Sequence, residues 1–107
     1  MSKPIVVSLP HGLGQQEALR RIKSGLAGVR QKYGAIISVD EESWLDNRLT
    51  LRLRAVGQSA EAVVDVENDH VRIEVMLPWL LAKVAEKFVP TIEHEATLML
   101  ENKSSSS

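Results

Sequence analysis

The sequence predicts an α+β fold of two layers, with elements in the order β-α-β-β-β-β-α, a four- to five-stranded antiparallel sheet, and both helices on one face of it. Three observations predict this. Between Leu49 and Leu77 apolar residues recur at every second position, the period of strands that bury a single face. Turn-forming pairs at Asp46-Asn47, Gly57-Gln58 and Asn68-Asp69 divide that stretch into strands. On both sides of it the apolar spacing changes to that of a helix.

Ile5 to Leu9 is a β-rich run halted by Pro10, His11 and Gly12, hence an opening strand and a turn. From Gln15 the residues Leu19, Ile22, Leu26, Val29 and Tyr33 form one stripe on a helix that stops at Gly34. Gly14 is its expected N-cap and Glu17 suits the first turn. Gly25 and Gly28 lie inside it, each costing about 1 kcal/mol relative to alanine. With Ala18 they form a small-residue flank. Either another backbone approaches there, from the second helix or a partner subunit, or the packed helix tolerates both.

The three turns fix registers. A loop at Asn68-Asp69 sets Val66 opposite Val71, Val64 opposite Ile73 and Ala62 opposite Val75. A loop at Gly57-Gln58 sets Leu53 opposite Ala62, Leu51 opposite Val64 and Leu49 opposite Val66, and on the wet face Arg54 opposite Glu61 and Arg48 opposite Glu67. The third loop sets Trp44 opposite Leu49. Ile37 and Val39 want the same face as Trp44, but five residues separate Val39 from Trp44, so a bulge is required within Asp40 to Ser43.

After Leu77, Pro78 starts the second helix, with Leu81, Val84, Ala85, Phe88, Ile92 and Met99 as its stripe. Leu80, Ala82, Val89, Leu98 and Leu100 widen the apolar arc to about half the circumference, so either the sheet curls around the helix, as in a helix-grip arrangement, or a partner covers it. Pro90 falls opposite the stripe, where a kink opens toward solvent. Glu95 falls within the stripe and is expected to snorkel or to meet an interface.

A chain of 107 residues supports one hydrophobic core, expected to span residues 1–102, with 103–107 a serine-rich solvated tail. A net charge of −1 with mixed signs gives no field to attract nucleic acid. Cysteine is absent, which removes disulfides and thiolate chemistry. No segment reads as a secretory signal or a transmembrane span, so a cytoplasmic location is expected.

Histidines 11, 70 and 94 share no metal-ligand spacing, the glycines near His11 lack phosphate-loop spacing, and no serine has a nucleophile-elbow context. No catalytic residue, metal or cofactor is expected. Six residues are singled out for interaction or ligand lining: His11, in a Pro/Gly loop ahead of a helix start; the aromatic residues Trp44, Trp79 and Phe88; and Leu80 and Leu98 on the wide arc. For His11 a loop-stabilising hydrogen bond is the plainer role, and for the tryptophans core packing.

Leu9-Pro10-His11-Gly12-Leu13-Gly14 leading into Glu17-Ala18, then Lys32-Tyr33-Gly34, Trp44, and the run from Val71 through Pro78-Trp79-Leu80-Leu81 together resemble the polyhydroxyalkanoic acid system family over about Ile5 to Leu100. The resemblance implies an accessory protein of bacterial polyester storage, with no catalytic residues to carry over. Three readings follow: an interaction protein that docks on a storage granule or an enzyme partner, or pairs with itself as a homodimer; a carrier of a small apolar ligand, with a cavity between curved sheet and C-terminal helix beside Trp44, Trp79 and Phe88; and an enzyme using His11 with Glu17, which no constellation supports.

Overall fold

The computed structural model describes residues 4–55, 57–77 and 85–101. Strand β1 (Ile5–Pro10), helix α1 (Gln15–Tyr33), strands β2 (Ile37–Leu45), β3 (Arg48–Ala55), β4 (Gln58–Val66) and β5 (His70–Met76), and helix α2 (Ala85–Glu101) follow in the expected order. The strands form one antiparallel sheet in the order β1-β5-β4-β3-β2, so the first strand returns beside the last. The start of the second helix at Pro78, with Trp79, Leu80, Leu81 and Val84, lies outside the described residues, as does the serine tail.

The period-2 pattern makes the sheet one-sided. Ile5 and Val7, Leu49 and Leu51, Ala62, Val64 and Val66, and Val71 and Ile73 are buried with Ala18 and Ile22 of α1 and Ala96 and Leu100 of α2 in one cluster. Both helices therefore cover the same face. Leu49, Val66 and Val71 are sealed at its centre, where each fully buried side chain contributes roughly 1.5–3 kcal/mol. On the other face ion pairs bridge neighbouring strands: Arg48 meets Asp65 at 2.7 Å, Arg54 meets Asp40 at 3.2 Å and Arg52 meets Glu41 at 3.6 Å.

The β4–β5 register is the expected one, and Trp44 faces Leu49. The required bulge is present at Asp40, where the β2–β3 register shifts between Val39 and Glu41. The β3–β4 register differs from expectation by two residues: Leu49 faces Val64, Leu51 faces Ala62 and Leu53 faces Ala60. Gln58 faces Ala55 and already belongs to β4, so it is not a loop residue as expected, and Gly57 before it takes φ 74°. A two-residue slip keeps every side chain on its own face, so alternation alone cannot choose between these registers. Turn chemistry can. Gly57 takes the positive φ that other residues avoid, and Asn47 holds the far end, accepting at its carbonyl from Val66 N–H at 2.9 Å and donating through Nδ2 to Val66 O at 2.7 Å. Arg48 accordingly faces Asp65 rather than Glu67, and Arg52 rather than Arg54 faces Glu61.

Helix α1 runs antiparallel to α2. Arg21 donates to the carbonyl of Leu100, Met99 lies over Gly25, and Lys32 and Tyr33 both reach Glu95. Of the small-residue flank, Ala18 is sealed and Gly25 is where the second helix approaches, since a Cβ there would lie 2.4 Å from Met99 Cγ. Gly28 has open space instead. The two glycines should therefore respond oppositely in urea unfolding. Gly25→Val, which forces α2 away, is expected to lower stability by about 1–3 kcal/mol, whereas Gly28→Ala is expected to raise it by up to about 1 kcal/mol. Equal responses would mean that the helices do not touch at Gly25.

Candidate functional site

Two regions carry the residues singled out from the sequence. The first is the corner where the loop after β1 meets the β4–β5 turn. His11 Nδ1 accepts from Leu13 N–H at 3.2 Å, so the proton resides on Nε2, which donates to Glu67 O at 3.1 Å. His11 N–H also donates to Asp69 O at 2.8 Å. Both ring nitrogens thus hold backbone, the loop-stabilising role expected of them. Glu17 faces elsewhere, its carboxylate taken by Arg20 at 2.6 Å and Arg21 at 2.7 Å.

Gly14 begins α1 with φ 82° and no side chain to cap it. The cap comes from a distant segment: Asn68 Oδ1 accepts from Gln15 N–H at 3.2 Å, and Gln15 Nε2 donates to Val66 O at 3.0 Å. A bare glycine at the helix start is the one sequence signal that a cap must be supplied from outside, and it does not say by which residue. Leu13, Gln16, Arg20 and Asn68 rim a broad hollow of about 760 Å³ there. Neither Trp44 nor Phe88 lines it.

The second region is the helical layer. Trp44 is half-buried against the core on β2, with Lys23 Nζ 4.9 Å from its ring centroid and its Nε1 donating to Glu42 at 3.2 Å. The bulge turns Glu42 toward the helices, where Arg30 meets it. Helix α2 packs on β1, at the opposite edge of the sheet, so Trp44 and Phe88 are not brought together. Phe88 is 42% and Leu98 45% exposed on α2; Trp79 and Leu80 lie outside the described residues.

Charge fastens the helices to each other. Glu95, only 14% exposed, accepts from Lys32 Nζ at 2.7 Å and from Tyr33 OH at 2.8 Å. These two bonds, the lysine's first, hold its carboxyl below the usual carboxylate range, and the same carboxylate raises Lys32 and Tyr33. This is the interface carboxylate expected inside the stripe, although its two partners on α1 were not legible in the spacing. Among the described residues no three His, Asp or Glu side chains are grouped to hold a metal ion, and no helix is long and apolar enough to cross a membrane.

A family model described as "Putative polyhydroxyalkanoic acid system protein" matches residues 5–100. The chain belongs to the polyhydroxyalkanoic acid system family. The match takes in all five strands and both helices to within a residue of the end of α2, so what this family member shares with its relatives is the entire two-layer unit. No curated protein and no solved structure matches it.

Two measurements test the corner and the clasp beside it. Asn68→Ala removes the acceptor for Gln15 N–H and is expected to cost about 0.5–2 kcal/mol, while Asn68→Asp, which keeps an acceptor, costs far less; equal losses would remove Asn68 from the capping role. Hydrogen bonds from Arg20 and then Arg21 hold the Glu17 carboxyl at about 2, against an ordinary 4.5. Because the folded value is the lower, the unfolded chain takes up this proton first as pH falls. The stabilisation is complete above 4.5 and is lost on the way down to about 2. Thermal unfolding of Glu17→Gln should therefore depend less steeply on pH than wild type across that window, and parallel curves would show that the clasp contributes nothing.

Proposed function

We infer that this protein is a non-catalytic accessory component of the bacterial polyester storage system, cytoplasmic, and acting by contact with the granule surface or with other proteins of that system. Family membership supplies the context. The observation that carries the mode of action is the exposure of Phe88 and Leu98 on α2, a helix whose inner side, at Ala96 and Leu100, is already buried against the sheet. Apolar surface left over after the core is complete is what distinguishes a helix that also serves contact with something else. On the sheet's open face Arg48, Arg52 and Arg54 engage carboxylates of neighbouring strands, so the apolar partner is assigned to α2 rather than to that face.

The test is expression of the tagged chain in a polyester-accumulating cell, followed by isolation of granules and identification of what co-purifies. Wild type should sediment with the granules or with a protein bound to them. Phe88→Glu, altering a side chain outside the core cluster, should reduce that association at least tenfold, roughly 1.4 kcal/mol, with the unfolding midpoint unchanged. A wild-type chain that sediments with no granule and captures no protein of the system would defeat the reading.

A further inference from the structure

The corner between β1 and α1 closes on a single ring. His11 Nδ1 accepts from Leu13 N–H at 3.2 Å and Nε2 donates to Glu67 O at 3.1 Å. A neutral imidazole has one acceptor and one donor, and both are used here. Acid adds its proton at the only nitrogen with a lone pair to offer, Nδ1, and turns the acceptor into a donor. Leu13 N–H then faces a second N–H, so the imidazolium can keep Glu67 O but not Leu13.

The segment that loses its partner has room to move. Gly12 and Gly14 flank Leu13; a Cβ on Gly12 would meet nothing within 4 Å, and Gly14 takes φ 82°. His11 itself stays anchored, because its backbone N–H donates to Asp69 O at 2.8 Å. Two residues beyond Leu13, Gln15 N–H donates to Asn68 Oδ1 at 3.2 Å, the cap of α1. Leu13 packs against the core cluster and rims the hollow at the start of α1, so its release alters both.

The charged and titratable groups around the ring lie on three elements: Glu67 and Asp69 in the β4–β5 turn, His70 at the start of β5 opposite Pro10, and Glu17, Arg20 and Arg21 in the first turns of α1. Asp69 is bound by His70 Nδ1 at 2.7 Å, Glu17 is held by its two arginines, and Glu67 engages the ring through its carbonyl. Among the described residues no carboxylate is hydrogen-bonded to the His11 ring to hold it protonated.

We propose that His11 is an acid-sensitive latch: its neutral ring joins the β1–α1 segment to the β4–β5 turn, and protonation at Nδ1 frees Leu13 and loosens the start of α1. The bond to Leu13 exists only with the neutral ring, so its stabilisation is present above the histidine range and lost below it, between about pH 8 and about pH 5. The latch does not depend on what α2 binds.

Titration of the purified full-length chain, followed by proton and nitrogen NMR, tests it. At about pH 8 the His11 ring is expected to carry its proton on Nε2, and on the way to about pH 5 the Leu13 and Gln15 amide signals should move upfield in step with the ring. His11→Asn is the control, because its side-chain oxygen accepts from the amide two residues on, as in an Asx turn, and does not titrate. Its Leu13 amide should stay in place across the range. The urea-unfolding equilibrium constant of wild type should rise roughly tenfold more than that of the variant between the two pH values; His70 and His94 are present in both chains and cancel. A ring protonated on Nδ1 at the alkaline end, or amides that ignore the ring's titration, overturns the latch, and so do wild-type and variant stabilities that run parallel.

Discussion

Five strands present one apolar face and one charged face, and among the described residues it is α1 and α2 that exclude water from the first. The asymmetry comes directly from the alternation in β3, β4 and β5, where Leu49, Leu51, Ala62, Val64, Val71 and Ile73 are buried and the open side carries Arg48, Arg52, Glu61, Asp65 and Arg72. A sheet of this kind is incomplete without its helices. Each helix in turn is held by what it covers and by its neighbour: Ala18 and Ile22 in the core, Gly25 under Met99, and Glu95 between Lys32 and Tyr33.

That asymmetry also explains which parts of the fold were legible. The one-sided sheet and the bulge in β2 follow from parity, which counts residues modulo two, and the β4–β5 register from the Asn68-Asp69 turn that pairs Val66 with Val71. The β3–β4 register does not, because the expected and observed pairings differ by two residues and bury the same side chains. What separates them is local. Gly57 supplies a positive φ and Asn47 ties both backbone groups of Val66, while both registers offer arginine–carboxylate pairs on the wet face. Polar register marks were therefore no better a guide than apolar ones.

Contacts between segments distant in sequence were the least legible. Gly14 begins α1 without a side chain, and the missing acceptor arrives from Asn68, 53 residues from Gln15. His11 was visible as unusual, a histidine in a Pro/Gly loop, and its use proves to be mechanical: one nitrogen accepts from its own loop and the other donates across to the β4–β5 turn. Together these bonds tie the segment between β1 and α1 to the β4–β5 turn. Trp44 illustrates the converse. Its burial was predictable from register, but its neighbours, Lys23 above and Glu42 beside it, depend on a bulge that turns one carboxylate toward the helices.

The same geometry bears on how a chain with no evident chemistry can have a role. A helix lying on a flat sheet needs an apolar stripe of somewhat over 100°, and α2 meets that need with Val89, Ile92, Ala96, Met99 and Leu100. Phe88 and Leu98 exceed it. Their exposure brings no benefit to the isolated fold, since a polar residue at either position would keep the core cluster intact and lower the tendency to associate. Where side chains are neither required by the core nor neutral toward solvent, contact with another surface is the physical reason for retaining them.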